Sequence, residues 1–145
     1  MLLLAALAAG ARADDAEELS RSFAKDTIVI EGEADACYRF DVWLATTQAQ
    51  QRRGLMFVRE LPRFSGMLFL YGQDAMLSMW MKNTYIPLDI LFIRADGSVA
   101  NIAKNTEPLS LTSIPAAEPV RYVLELNAGV TDALGIEPGS RVYLP

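Results

Sequence analysis

Between Thr27 and Leu144 the chain is cut into short apolar runs by turn-forming residues, and this spacing restricts it to folds built from short strands. Tyr38, Phe40, Val42 and Leu44 alternate with Arg39, Asp41 and Trp43, the period of a strand with one buried face. Thr27 to Ile30 is a β-branched run, and Arg121 to Leu126 alternates again, with Tyr122, Leu124 and Leu126 on one side. Met67 to Tyr71 and Leu77 to Met81 have strand length, and Gly72-Gln73-Asp74 between them reads as a turn. Asp89 to Arg94 and Val99 to Ala103 flank Asp96-Gly97, a strong hairpin signal because both turn residues tolerate positive φ. Pro138-Gly139 turns the chain into a last strand, Arg141 to Leu144. Helices are few. Thr47-Gln48-Ala49-Gln50 has capping-box spacing and starts a short helix that stops at Gly54, while Thr131 to Leu134 allows one turn before Gly135. The expectation is a mainly β domain of seven or eight short strands with one or two short helices. A compact jelly-roll-like sandwich is the first layout it suggests and a small barrel the second.

One domain accounts for residues 27–145, since 145 residues at 52% hydrophobic content supply a single core. Met1 to Ala13 reads as a signal peptide, an apolar stretch ending in the small-x-small Ala11-Arg12-Ala13, with an Ala-rich buried helix as the alternative. Leu2 to Ala9 is too short to span a bilayer, so the mature product is expected to be periplasmic or secreted and free of the membrane. Residues 14–26 form an acidic lead-in, expected to be solvated and either helical or disordered.

Charge is distributed unevenly. Asp14 to Asp35 holds eight acids and two bases, whereas Ala36 to Pro145 holds ten of each. A balanced domain behind an acidic segment lacks the clustered basic face that nucleic acid requires, and the polybasic patch that a membrane surface requires. The chain has no His, which removes Ser-His-Asp, Cys-His and His-based zinc chemistry. Its single cysteine, Cys37, excludes an intrachain disulfide and thiolate metal sites, and reads as a small buried hydrophobe in a strand. No Gly-rich phosphate loop precedes a helix. Nothing in the sequence calls for a cofactor or a metal; Met76, Met79 and Met81 are soft ligands for Cu(I), but core packing explains Met79 and Met81 better.

The densest polar cluster is Trp80-Met81-Lys82-Asn83-Thr84, followed by Pro87-Leu88-Asp89. In a strand from Leu77 to Lys82, Ser78, Trp80 and Lys82 share a face, which sets an indole beside an ammonium. A pairing of Lys82 with Asp89 across the following turn would need no function at all. The sharper reading is a concave polar site with an aromatic platform, suited to a sugar or a carboxylate-bearing ligand.

Five stretches carry a resemblance: Arg53-Gly54-Leu55-Met56-Phe57, Gly66-Met67-Leu68-Phe69, Trp80 to Thr84, Ile86 to Ile93, and Tyr122 to Gly129. Together they resemble the family called domain of unknown function 192, over about Phe40 to Leu144. The resemblance implies a compact, β-rich, jelly-roll-like fold, often in exported bacterial proteins, and implies no known activity. One departure is Gly139-Ser140-Arg141, where the family pattern has Gly-Asp-Arg. Its motifs mark Arg53, Trp80, Lys82, Asn83, Thr84, Asp89 and Glu125 as the polar residues of a binding or functional site, although Arg53 and Glu125 also suit ion pairs. The expected function is a small-molecule or glycan-binding module outside the cytoplasm. Two alternatives stand beside it: a hydrolase- or lyase-type enzyme using a carboxylate such as Asp89 or Glu125 with Lys82, and a protein–protein interaction domain.

Overall fold

A computed structural model describes residues 15–145; the stretch read as a signal peptide lies outside them. The chain runs through helix α1 (residues 15–22), β1 (Ala24–Glu31), a 3-10 turn (Glu33–Asp35), β2 (Cys37–Ala45), α2 (Gln48–Arg53) and β3 (Ser65–Ala75). It continues through β4 (Ser78–Met79), β5 (Leu88–Ile93), β6 (Val99–Ala103), β7 (Ile114–Pro115), β8 (Val120–Asn127), α3 (Val130–Leu134) and β9 (Val142–Tyr143). Seven strands make one sheet in the order β6-β5-β8-β3-β2-β1-β9, and β4 and β7 form a separate ribbon. All neighbours in the sheet are antiparallel except β2 and β3, whose parallel pairing requires the crossover that carries α2.

The sheet curls until its two edge strands meet at one corner. Val99 N donates to Ser140 O at 2.9 Å, Gly139 N to Val99 O at 2.8 Å and Val142 N to Gly97 O at 2.8 Å, around a bridge between Ser98 and Arg141. Gly97 sits at φ +87°, and a Cβ there would lie 2.5 Å from Val142 O, so the Asp96-Gly97 turn that closes the hairpin also lets the edges approach. The mainly β expectation holds, in the barrel-like layout of a half-closed curled sheet.

Curling gives the sheet two buried faces. Its concave side encloses Ile28, Ile30, Phe40, Val42, Leu68, Leu91, Leu124 and Leu126, plugged by Val130, Leu134 and Ile136 around α3. The convex side carries Trp43, Met67, Phe69, Ile90, Phe92 and Val123, covered by Leu19 and Phe23 around α1, by Leu55, Val58 and Leu61 after α2, and by Met81. Both sets follow the period-2 alternation of the strands, so each residue's parity decides which core it joins.

Four expectations need correction. The acidic lead-in takes the helical of its two expected forms over residues 15–22, but it is packed rather than simply solvated: Leu19 is buried, Phe23 beyond the helix is buried too, and β1 begins at Ala24 rather than Thr27. Asp15 accepts hydrogen bonds from Arg59 N at 2.8 Å and Glu60 N at 3.3 Å, which pins the start of α1 to the domain. Gly72-Gln73-Asp74 is strand, because β3 runs on to Ala75 through a register shift and Asp74 pairs with Arg121 of β8 at 2.9 Å. The strand expected from Leu77 to Met81 shrinks to Ser78–Met79, paired with Ile114–Pro115. Cys37 is exposed at the start of β2 rather than buried.

Candidate functional site

The capping box expected at Thr47 forms. Thr47 Oγ1 accepts from Gln50 N at 3.2 Å, Gln50 Oε1 accepts from Thr47 N at 3.1 Å, and Gln50 Nε2 donates to Ser22 O at 2.9 Å, tying α2 to α1. Gly54 ends the helix at φ +49°, with the Phe69 ring 3.2 Å from where a Cβ would stand. On the helix, Gln51 Nε2 donates to Leu70 O at 2.8 Å, and Arg53 reaches back to Glu18 at 2.5 Å and Ser22 Oγ at 3.0 Å. Arg53 is thus an ion-pair partner, as one expectation had it, while its guanidinium also lies 5.9 Å from the Phe23 ring.

Opposite α2, residues 80–84 make a turn held from both sides. Asn83 takes φ +52°, and its carbonyl accepts from Phe57 N at 2.9 Å. Thr84 N donates to Met81 O and Thr84 Oγ1 to Lys82 O, both at 3.1 Å, and Thr84 O accepts from Leu109 N at 3.1 Å. The turn leaves Trp80 48% exposed with Lys82 Nζ 5.0 Å from its ring centroid, the indole–ammonium neighbourhood expected from the sequence.

Between these two elements lies Glu125, in the middle of β8 on the convex face, in register with Met67 of β3 and Ile90 of β5. It is 4% exposed. Among the described residues no hydrogen bond or ion pair to its carboxyl is found, so the ion pair that was one of its two expected roles does not form. Because no fully sealed side-chain oxygen among these residues lacks a partner, its oxygens reach open space. Burial pushes its pKa up to about 8, so the acid is neutral at neutral pH. Tyr71 is raised as well, first by burial and then by the nearby Glu125 charge. The carboxyl borders a hollow of about 30 Å³ lined also by Gln51, Arg53, Trp80, Lys82 and Thr84.

Five of the seven sequence-marked residues therefore converge: Arg53, Trp80, Lys82, Thr84 and Glu125. Asn83 serves the turn, its side chain reaching only Met56 Sδ at 3.9 Å. Asp89 is elsewhere. It pairs in register with Leu126, on the concave face, is fully buried, and accepts from Asn105 N at 3.0 Å, Gly129 N at 3.1 Å, Thr131 N at 3.0 Å and Thr131 Oγ1 at 2.6 Å. It anchors α3 to β5, and among the described residues no bond joins it to Lys82.

Sequence reasoning missed the groove beside the hollow. A cleft of about 360 Å³ runs from Gln48, Gln51 and Arg52 past Tyr71 to Ser78, Met79 and Trp80, and a second of about 290 Å³ lies on the other side of Trp80 against Leu111 and Ser113. Residues 48, 51 and 52 stand at i, i+3 and i+4 of the helix that the capping box identifies, so the helical period could have placed them on one face. Among the described residues no group of three or more acids, Cys or His is placed to hold a metal ion, and no helix is long and apolar enough to cross a membrane.

Fold and hollow define a class: a small barrel-like β domain whose convex face carries an unpaired carboxyl under a cationic and aromatic rim. The chain belongs to the family DUF192, described as "Uncharacterized ACR", whose profile matches residues 28–144. It is similar to a crystal structure from Sinorhizobium meliloti 1021, a protein assigned provisionally as a transcription regulator. The two are 42% identical over 83% of this chain and 93% of that one, with a TM-score of 0.81. A protein of unknown function from Novosphingobium aromaticivorans DSM 12444 is also 42% identical, over 83% of this chain and 85% of that one, with a TM-score of 0.80. None of the curated proteins matches.

Proposed function

We propose that this protein is a small-molecule-binding module acting outside the cytoplasm, and that its ligand is polyhydroxylated, as a sugar is. One observation carries the reading: half-exposed Trp80, braced by Lys82 on its ring, stands between two grooves of about 360 and 290 Å³. An indole offers a flat face to the C–H side of a sugar ring, and the Gln48, Gln51, Arg52, Tyr71 and Ser78 side chains on the groove wall suit its hydroxyls. The extracytoplasmic placement rests on the sequence of Met1 to Ala13 alone. Nucleic acid is not part of the proposal, because Ala36 to Pro145 balances ten acids with ten bases.

Titration with a panel of mono- and disaccharides, followed by tryptophan fluorescence and thermal shift, tests the reading. Trp43 is buried, so the solvent-sensitive signal belongs to Trp80. Trp80→Ala should weaken binding about tenfold or more while the melting temperature of the free protein stays put. A panel without a binder, or a variant that binds as well as the parent, would refute it.

The buried, uncharged Glu125 favours a second reading, general acid–base catalysis with Lys82 facing developing negative charge. Under that reading Glu125→Gln abolishes turnover of a substrate that it still binds; equal turnover by the variant would exclude it.

A further inference from the structure

Three carboxyl groups are buried among the described residues, and two are held by donors: Asp15 by two backbone N–H groups, Asp89 by three and a hydroxyl. Glu125 has none. The cause is its position. It lies at the centre of the sheet, where backbone N–H groups are spent on β3 and β5, and its in-register neighbours Met67 and Ile90 are apolar. Of the groups above it, Arg53 is committed to Glu18, Lys82 lies along Trp80 and Thr84 Oγ1 donates to Lys82 O.

The hollow it faces, about 30 Å³, has room for about one water or one small ligand group. Gln51, Arg52, Met79 and Trp80 line both this hollow and the 360 Å³ groove, so the two adjoin along these four side chains. A molecule lying in the groove can push a single group inward. An ammonium would meet the cationic side chains of Arg52, Arg53 and Lys82 on the lining, which disfavour it. A ligand anion meets attraction from Arg52 and Lys82, Arg53 being already paired with Glu18, and a neutral carboxyl offers the O–H donor that an anionic oxygen accepts.

We propose that groove and hollow together select a small carboxylate-bearing ligand, an acidic sugar of the uronic acid type. One carboxylate oxygen enters the hollow to accept a hydrogen bond from protonated Glu125, and the sugar ring lies on Trp80. This rests on the ligand-binding reading above and adds to it the charge of the ligand and the proton required to hold it. With Glu125 ionised, two anions face each other in a buried space and the ligand is expelled. Tyr71, the other titrating group on that side, is held above its ordinary range by burial and keeps its proton over the same interval.

Glucuronate, its methyl ester and glucose are the probes, measured by calorimetry on the full chain. At about pH 6.5 glucuronate should bind about tenfold or more tighter than the ester. Between about pH 6.5 and about pH 9.5 its affinity should fall about 30-fold, the fraction of Glu125 that loses its proton, while the ester shows no such fall. Glu125→Gln keeps an N–H donor that does not titrate, so it should bind glucuronate with a flat pH profile. A measurement without mutation runs beside it: near pH 8, binding should take up about half a proton, read from the heats in two buffers of different ionisation enthalpy. Equal binding of acid and ester, a pH loss that persists in the Gln variant, or zero proton uptake would overturn carboxylate capture. Those results with sugars still bound at Trp80 leave the platform reading standing; no binding by any of the three probes sinks both.

Discussion

Replacing Glu125 with Gln should stabilise the protein, by an amount that grows with pH. The wild-type carboxyl titrates at about 8 in the fold, against 4.5 as its ordinary value. The native state therefore holds a proton that the unfolded chain releases. Below about pH 4.5 both states are protonated and Glu125 adds no pH-dependent term; between the two values stability falls as pH rises, and above about pH 8 the loss is complete. At 1.36 kcal/mol per pH unit the full span comes to about 5 kcal/mol, and about 3 kcal/mol of it is present at pH 7. That is a large share of the roughly 5–15 kcal/mol that holds a domain of this size together. Gln has the same shape and no charge, and whatever it costs to bury an unpartnered amide is independent of pH. Urea unfolding of both proteins at about pH 5 and about pH 8.5 isolates the effect, because that constant cost cancels in the difference between the two pH values. The gap should move in favour of Glu125→Gln by about 4 kcal/mol across this interval. A gap that does not change with pH would mean that the carboxyl is hydrated or paired in solution, and the reasoning from burial would fail.

Asp89→Ala should cost about 3 kcal/mol or more in urea unfolding, because it leaves buried N–H donors at the start of α3 without an acceptor; a loss under about 1 kcal/mol would deny it the anchoring role. Leu19→Ala should cost about 2–4 kcal/mol if α1 belongs to the folded unit, and close to nothing if the helix merely rests on it. Gly66→Ala sets a Cβ 2.5 Å from Glu125 O and 2.8 Å from the Leu126 side chain, so a thermal melt should show a loss of about 2 kcal/mol or more; an unchanged melt would mean that β3 and β8 can part without penalty.

What could be read from the sequence was whatever local physics decides. The capping box at Thr47, the Asp96-Gly97 hairpin and the helical turn before Gly135 each depend on residues close in the chain, and each forms as expected. The concave core was legible too, since Tyr38, Phe40, Val42 and Leu44 alternate cleanly. The convex core was not, because its cover comes from segments whose composition points to solvent. In α1 and just past its end the acidic residues mask an apolar stripe of Ala16, Leu19 and Phe23, at i, i+3 and i+7, which packs around the same core as Trp43. Period alone would have found it. The register of β5 against β8 is a different matter: it opposes Asp89 to Leu126 and Ile90 to Glu125, so two carboxyls that look alike in the sequence end on opposite faces of the sheet.

That separation bears on what the hollow is for. Asp89 fits the fold's own needs, with four donors converging on it at the mouth of the concave core. Glu125 fits none: among the described residues it closes no hydrogen bond and joins no ion pair, and it lowers stability through the whole range in which the unfolded chain would ionise it. An amide or a methylene chain of the same size would fill that position on β8 without the proton-linked cost. A carboxyl that costs the fold about 5 kcal/mol at alkaline pH, faces open volume, and lies beneath a half-exposed Trp80 and a cationic rim is accounted for by what enters that volume rather than by what holds the sheet together.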